Sequence, residues 1–214
     1  MKAINFYFDP ISPFAWLAFA KLPEALAGLG YAVTYRPLLF GAVLSHHGQL
    51  GPAEIAPKRD WTYRQVLWLA KQQGVELHMP ARHPFNPLGL LRLAVACGRD
   101  GLPNRYVTEQ LFLHVWQGGQ DAADPQRLQE LTDRLAPARD PNGAAVKAQL
   151  KTLTDEALAL GVFGVPTMEV DGRLFWGLDA LPMLRDYLDG DAWFAGPAWD
   201  SVSTVAAGVT RVRR

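Results

Sequence analysis

The segment FYFDPISPFAWLA, residues 6–18, places one hydroxyl, Ser12, between a break at Asp9-Pro10 and a Pro13-led run of Ala, Leu and aromatic residues. Serine accepts from the free N–H groups of a first helical turn, and proline fits that turn because its missing N–H costs nothing there. Ser12 therefore stands at the positive end of a helix dipole, as a simple cap or as a place to hold an anion such as a thiolate. The local residues leave both roles open. The chain's own sulfur chemistry is restricted, because Cys97 is the single cysteine; neither an internal disulfide nor a Cys-x-x-Cys redox or zinc site is possible. His46 and His47 are adjacent, with no carboxylate at ligand spacing, so no metal site is expected. They are proton donors or acceptors near neutral pH, or loop caps. Lys58 and Arg59 form a cationic pair that is either solvated surface or an anion contact. Trp61 and Trp68 share one helical face and read as core or as the wall of an aromatic pocket.

The elements that must position these groups follow from periodicity and punctuation. Residues 3–8 read as a buried strand, 13–28 as a helix kinked at Pro23 and stopped by Gly28 and Gly30, and 32–37 as a second strand. That β-α-β order implies a parallel pair joined by a crossover. Residues 42–58 lack periodicity and read as a loop. Helical patterns follow at 61–73, 87–97, 104–117, 124–135 and 142–160. Strand signals return at 165–170 and 173–176, flanking the hairpin turn Asp171-Gly172, and a last helix over 179–188 is opened by Asp179. A proline at 166, at the start of a strand, is unusual because it removes a ladder donor.

With 214 residues the chain has length for a sizeable core, and 21 basic against 21 acidic residues leave no formal net charge. Neither this balance nor any basic stripe points to a nucleic-acid partner; the terminal Arg211, Arg213 and Arg214 read as a solvated tail. No apolar run approaches membrane length and the N-terminus does not read as a signal peptide, so no membrane partner and a reducing, cytoplasmic setting are expected.

β-α-β, a helical block, then α-β-β-α resembles the thioredoxin fold of the DsbA-like branch. Within it, FYFDPISPFAWLA and GVFGVPTMEVDGRLFWGLDALPML resemble 2-hydroxychromene-2-carboxylate isomerases and kappa-class glutathione transferases. The resemblance implies an α/β thioredoxin-like domain over 1–41 and 142–190, an inserted all-helical domain over 42–141, and a C-terminal tail over 191–214. Ser12 and Ala15 fall where redox members carry their two cysteines, so disulfide exchange at this site is chemically impossible. The sulfur must arrive with a ligand, and glutathione is the ligand the resemblance implies, with Ser12 holding its thiolate.

By the same resemblance the Val165–Pro166 bond is cis, and the Val165 N–H and C=O are free to pair with the cysteinyl backbone of glutathione like a short extra strand. Gly177, Leu178 and Asp179 grip the γ-glutamyl end, although Asp179 also reads as an ordinary N-cap. The family's polar residue and arginine at the next positions are here Leu178 and Ala180. Where its members carry a lysine and an asparagine, this chain has Ser45, His46, His47 and Gln49, while Lys58 is a retained cation. Phe85 and Asn86, in HPFNPLGLLRL, are a ring wall and an amide facing the substrate, although Asn86-Pro87 also reads as a helix start. Phe14, His46, His47, Gln49, Lys58, Phe85 and Asn86 are thus the expected substrate contacts.

The activity implied is glutathione-dependent opening and cis-trans isomerisation of a chromene carboxylate, a step of aromatic degradation, on a small aromatic carboxylate in a homodimer. A kappa-like transferase that consumes glutathione is the second reading. A thioredoxin-fold binding protein without chemistry is the third.

Overall fold

Phe6, Tyr7 and Phe8 are consecutive and all buried, the signature of a strand covered on both faces. In the computed structural model, which describes residues 1–209, this strand is β1 (Lys2–Phe8) and lies inside a four-stranded sheet. It pairs in parallel with β2 (Tyr31–Pro37), the two joined by α1 (Pro13–Ala25), and antiparallel with β3 (Thr167–Val170), which pairs with β4 (Arg173–Trp176). The order is β2-β1-β3-β4. Asp171 and Gly172 both take positive φ, 52° and 79°, so the hairpin turns as an Asp-Gly pair should. This is the thioredoxin arrangement, and helices fill the interval between β2 and β3.

Those helices are α2 (Phe40–His46), α3 (Ala56–Gln73), α4 (Leu88–Cys97), α5 (Arg105–Trp116), α6 (Pro125–Leu135) and α7 (Ala144–Ala159). Asn104 caps α5 and Asp124 caps α6, each accepting the N–H three residues on. The stretch 42–58, expected as a loop, is instead α2, a 3₁₀ turn at Pro52–Glu54 and the first turn of α3. α1 also stops earlier than expected, with Pro23 in its last turn. The last helix, α8 (Leu181–Asp189), follows a 3₁₀ turn at Leu178–Ala180, so Asp179 lies ahead of α8 and does not cap it.

The main core runs without a break from the sheet and α1 into the inserted helices. Phe112 of α5 packs at 5.5 Å from Phe8, 5.2 Å from Phe19 and 5.8 Å from Trp16, centroid to centroid. Burial of such rings is a large driving term, and here it welds α5 to α1 and β1. Beyond α8, Asp191 caps a 3₁₀ turn at Ala192–Ala195 and α9 spans Pro197–Ser201. Phe194 and Trp199 pack on Phe175, so this part of the expected tail joins the core. Arg211, Arg213 and Arg214 lie outside the described residues. No helix among the described residues is long and apolar enough to cross a membrane.

Candidate active site

The loop from Asp9 to Ser12 joins β1 to α1, and every one of its residues is held from elsewhere. Asp9 is fully buried; its carboxylate accepts the Ile11 N–H and, from α2, the Phe40 N–H, each at 3.0 Å. Burial pushes its carboxyl up to about 7, against the opposing pull of those two backbone donors. The Pro10 carbonyl accepts from the Trp116 indole at 2.9 Å, and the Ile11 carbonyl pairs with His83 Nε2 at 2.8 Å. Ser12 N–H closes the turn on the Asp9 carbonyl at 3.0 Å. The inserted helices thus fix the loop that presents Ser12.

Ser12 is the N-cap of α1: its Oγ accepts the Ala15 N–H at 3.2 Å. Its hydroxyl donates to the Val165 carbonyl at 3.3 Å, near the outer limit for such a bond. The Val165–Pro166 bond is cis. The Val165 carbonyl, expected to be free, is therefore engaged by Ser12, whereas the Val165 N–H has no partner among the described residues. The Pro166 carbonyl accepts from Gly177 N–H at 2.9 Å. Gly177 has φ 100°, a backbone that favours glycine, and a Cβ there would stand 2.4 Å from Asp179 Oδ1, so any side chain would displace that carboxylate.

Two clefts meet over this strand start. One, of about 620 Å³, runs past Val165, Pro166, Gly177, Leu178 and Asp179 and is bordered by the Lys21–Glu24 ion pair. Leu178, which lines this cleft, is otherwise buried in the core. The other, of about 670 Å³, contains Ser12 together with Gln49, Lys58, Trp61, Tyr63 and His83. Phe14, Gln65, Val165 and Trp176 border both. The second cleft is walled by rings: Phe163 and Trp176 lie 4.9 Å apart and are 39% and 54% exposed, and Trp61 is 63% exposed. Exposed aromatics of this size, gathered in one concavity, mark a place for an apolar ligand. Lys58 is exposed there and has no carboxylate partner among the described residues.

Of the residues expected to touch a substrate, Phe14, Gln49 and Lys58 line the Ser12 cleft. His46 and His47 do not. They end α2 on an exposed face, their rings edge to face at 5.0 Å. Phe85 packs partly buried against the core, and Asn86 Oδ1 accepts the Leu88 N–H at 3.1 Å, so this segment serves the start of α4 and lines neither cleft. Trp61 and Trp68 are both exposed rather than core, and only Trp61 reaches the cleft. Sequence reasoning missed Asp9, Tyr63, His83, Phe163 and Trp176. His83 lies in the quoted HPFNP segment, two residues before the ring that drew attention.

A family model described as a DSBA-like thioredoxin domain matches residues 3–189. A 2-hydroxychromene-2-carboxylate isomerase from Sphingobium xenophagum is 32% identical over 195 residues, 87% of this chain and 98% of the relative. A glutathione S-transferase kappa 2 from Caenorhabditis elegans is 26% identical over 208 residues, covering 87% and 92%. The fold is that of a solved 2-hydroxychromene-2-carboxylate isomerase, with TM-score 0.73, 21% identity and coverage of 95% of this chain and 100% of the other. The chain belongs to the DSBA-like thioredoxin domain family, among its 2-hydroxychromene-2-carboxylate isomerases and kappa-class glutathione transferases.

Proposed function

We propose that the protein is a glutathione-dependent isomerase that opens a cyclic aromatic hemiketal carboxylate and interconverts the cis and trans forms of the open chain. The observation that carries this reading is the placement of Ser12. It sits at the positive end of α1, in the ring-walled cleft, and touches Val165, which borders that cleft and also the one past Gly177 and Asp179. A tripeptide thiol suits that pair of spaces. The unpaired Val165 N–H is a backbone donor for an extended peptide. Asp179, beside the γ-glutamyl end, suits an ammonium, and the 3₁₀ turn that contains it suits the adjoining carboxylate.

When bound, glutathione supplies a thiolate nucleophile, which the chain's single, half-buried Cys97 cannot. Burial pushes the Cys97 thiol up to about 11. Ser12 favours the anionic form of a sulfur beside it by moving its long hydroxyl bond from the Val165 carbonyl to that sulfur. Phe14, Trp61, Phe163 and Trp176 hold the aromatic substrate by its faces, and Lys58 meets its carboxylate.

The test is a chromene carboxylate assay followed by absorbance, with and without glutathione, beside calorimetric titration of glutathione. Turnover that needs glutathione and leaves its concentration unchanged is expected. Steady consumption of glutathione makes the protein a kappa-type transferase, and absence of binding at millimolar glutathione overturns the cofactor assignment.

A further inference from the structure

His83 and Tyr63 form a hydrogen-bonded pair inside the Ser12 cleft, and its arithmetic is unusual. His83 Nε2 lies 2.8 Å from the Ile11 carbonyl, which can only accept, so Nε2 carries the hydrogen. In the neutral ring Nδ1 is then a bare acceptor. The Tyr63 hydroxyl lies 2.8 Å from that Nδ1 and 2.8 Å from the His83 carbonyl. One O–H thus faces two acceptors. A proton added at Nδ1 completes the set: Nε2–H donates to Ile11, Nδ1–H to Tyr63, and Tyr63 O–H to the His83 carbonyl. The pair is built to take up one proton and give it back. Burial holds the His83 ring below its ordinary value, against the opposing pull of the Ile11 carbonyl, so the neutral ring is its resting form and the protonated one a transient. Burial raises the Tyr63 hydroxyl above its ordinary value, while its charged neighbours Arg59 and Asp60 act on it in opposite directions, Arg59 lowering and Asp60 raising it.

We propose that Tyr63 and His83 are the acid-base pair for opening the hemiketal ring, a role that rests on the substrate class given above and is separate from Ser12. The step balances as follows. Tyr63 takes the proton of the hemiketal hydroxyl while its own passes to His83 Nδ1. The resulting alkoxide collapses to a ketone as the bond from that carbon to the ring oxygen breaks, and the electron pair leaves with the ring oxygen as a phenolate. His83 Nδ1 then returns its proton through Tyr63 to that phenolate. No proton is gained or lost, and no sulfur takes part. Tyr63, which touches the substrate, is the catalytic residue, and His83, acting through it, is a positioning residue and proton store.

Because glutathione is not needed for this step, its absence separates the two proposals. Exchange between the closed chromene carboxylate and its open cis form is measured by saturation-transfer NMR, with protein present and glutathione absent. The protein should accelerate exchange, and Tyr63→Phe should lower that acceleration roughly a hundredfold, the ordinary size of a general acid-base contribution. His83→Gln keeps an N–H for the Ile11 carbonyl but removes the proton acceptor, and should lower it comparably. The imidazole nitrogen shifts of the unaltered protein should report the Nε2–H tautomer. Acceleration without glutathione stands even where calorimetry finds no glutathione binding. No acceleration by the unaltered protein, full acceleration by Tyr63→Phe, or a neutral Nδ1–H tautomer each overturns the pair's role.

Discussion

The Ser12 hydroxyl donates to the Val165 carbonyl at 3.3 Å, although the two residues stand 153 positions apart in the chain. One end of this contact caps α1 and the other begins the segment that leads into β3. The same oxygen that shapes the helix start therefore belongs to a residue lining the cleft.

Ser12→Ala should separate capping from chemistry. An N-cap serine replaced by alanine costs about 1 kcal/mol, because the Ala15 N–H loses its acceptor. Loss of the thiolate-stabilising hydroxyl should lower kcat/KM for cis-trans isomerisation roughly a hundredfold, in the range of other deleted electrostatic donors. Urea unfolding beside steady-state kinetics gives both numbers. A loss of activity no greater than the loss of stability would leave Ser12 a cap.

Asp9 carries a pH dependence whose sign can be worked out. Burial pushes its folded carboxyl up to about 7, above the ordinary 3.8, so between those values the unfolded chain has released a proton that the native chain retains. Stability falls as pH rises through that window and levels off above it. The whole shift corresponds to about 4 kcal/mol as an upper bound. Asp9→Asn removes the titration, and its amide suits only one of the two N–H donors, which adds a cost independent of pH. The stability of the variant relative to the parent should therefore improve from pH 4 to pH 7. Chemical unfolding at four or five pH values measures the slope, and parallel curves would show that Asp9 is ionised throughout.

Asp9 also explains what the sequence could not reveal. α2 has seven residues, buries only Val43, and begins at Leu39 without a side-chain cap. Its free Phe40 N–H is received by Asp9, 31 residues earlier, and the Leu39 N–H by Thr154 Oγ1 at 3.1 Å. A helix capped by tertiary partners carries no local signal, so the stretch reads as a loop. His83 is hidden for the same reason, with Ile11 and Tyr63 lying 72 and 20 positions away. The features that were legible are self-contained. Ser12-Pro13 caps its own helix, Asp171-Gly172 supplies its own positive φ, and β1 shows its apolar run. The ring-walled cleft falls between these cases. Trp61 drew attention by spacing, but Phe163 and Trp176 meet only once the segment before β3 lies beside β4.

Gly177→Ala should act through Asp179. The added methyl has φ 100° to adopt and Asp179 Oδ1 at 2.4 Å to displace. At φ 100° and ψ 164° the backbone is in a region almost confined to glycine, which costs alanine about 1–3 kcal/mol, and the carboxylate must swing away from its present position. Glutathione affinity should fall about tenfold or more while the Ser12 cleft keeps its rings. Calorimetry with glutathione, compared with thermal unfolding, tests this. An unchanged Kd would place the γ-glutamyl end elsewhere.

The last prediction concerns the cation for the substrate carboxylate. His46 and His47 line neither cleft, whereas Lys58 lines the one that holds Ser12 and has no carboxylate partner among the described residues. Lys58 is exposed, so water weakens its attraction, and the expected effect is modest: about a tenfold rise in substrate KM for Lys58→Ala, with kcat little changed. Arginine in its place should recover most of the binding, because the charge is retained. The ketone analogue lacking the carboxylate supplies the control: its KM should be the same for Lys58→Ala and the parent. If Lys58→Ala raises the KM of both compounds equally, the lysine shapes the cleft mouth without pairing with the carboxylate. Arg59 is no substitute, because it lines neither cleft and already lies 3.8 Å from Asp60.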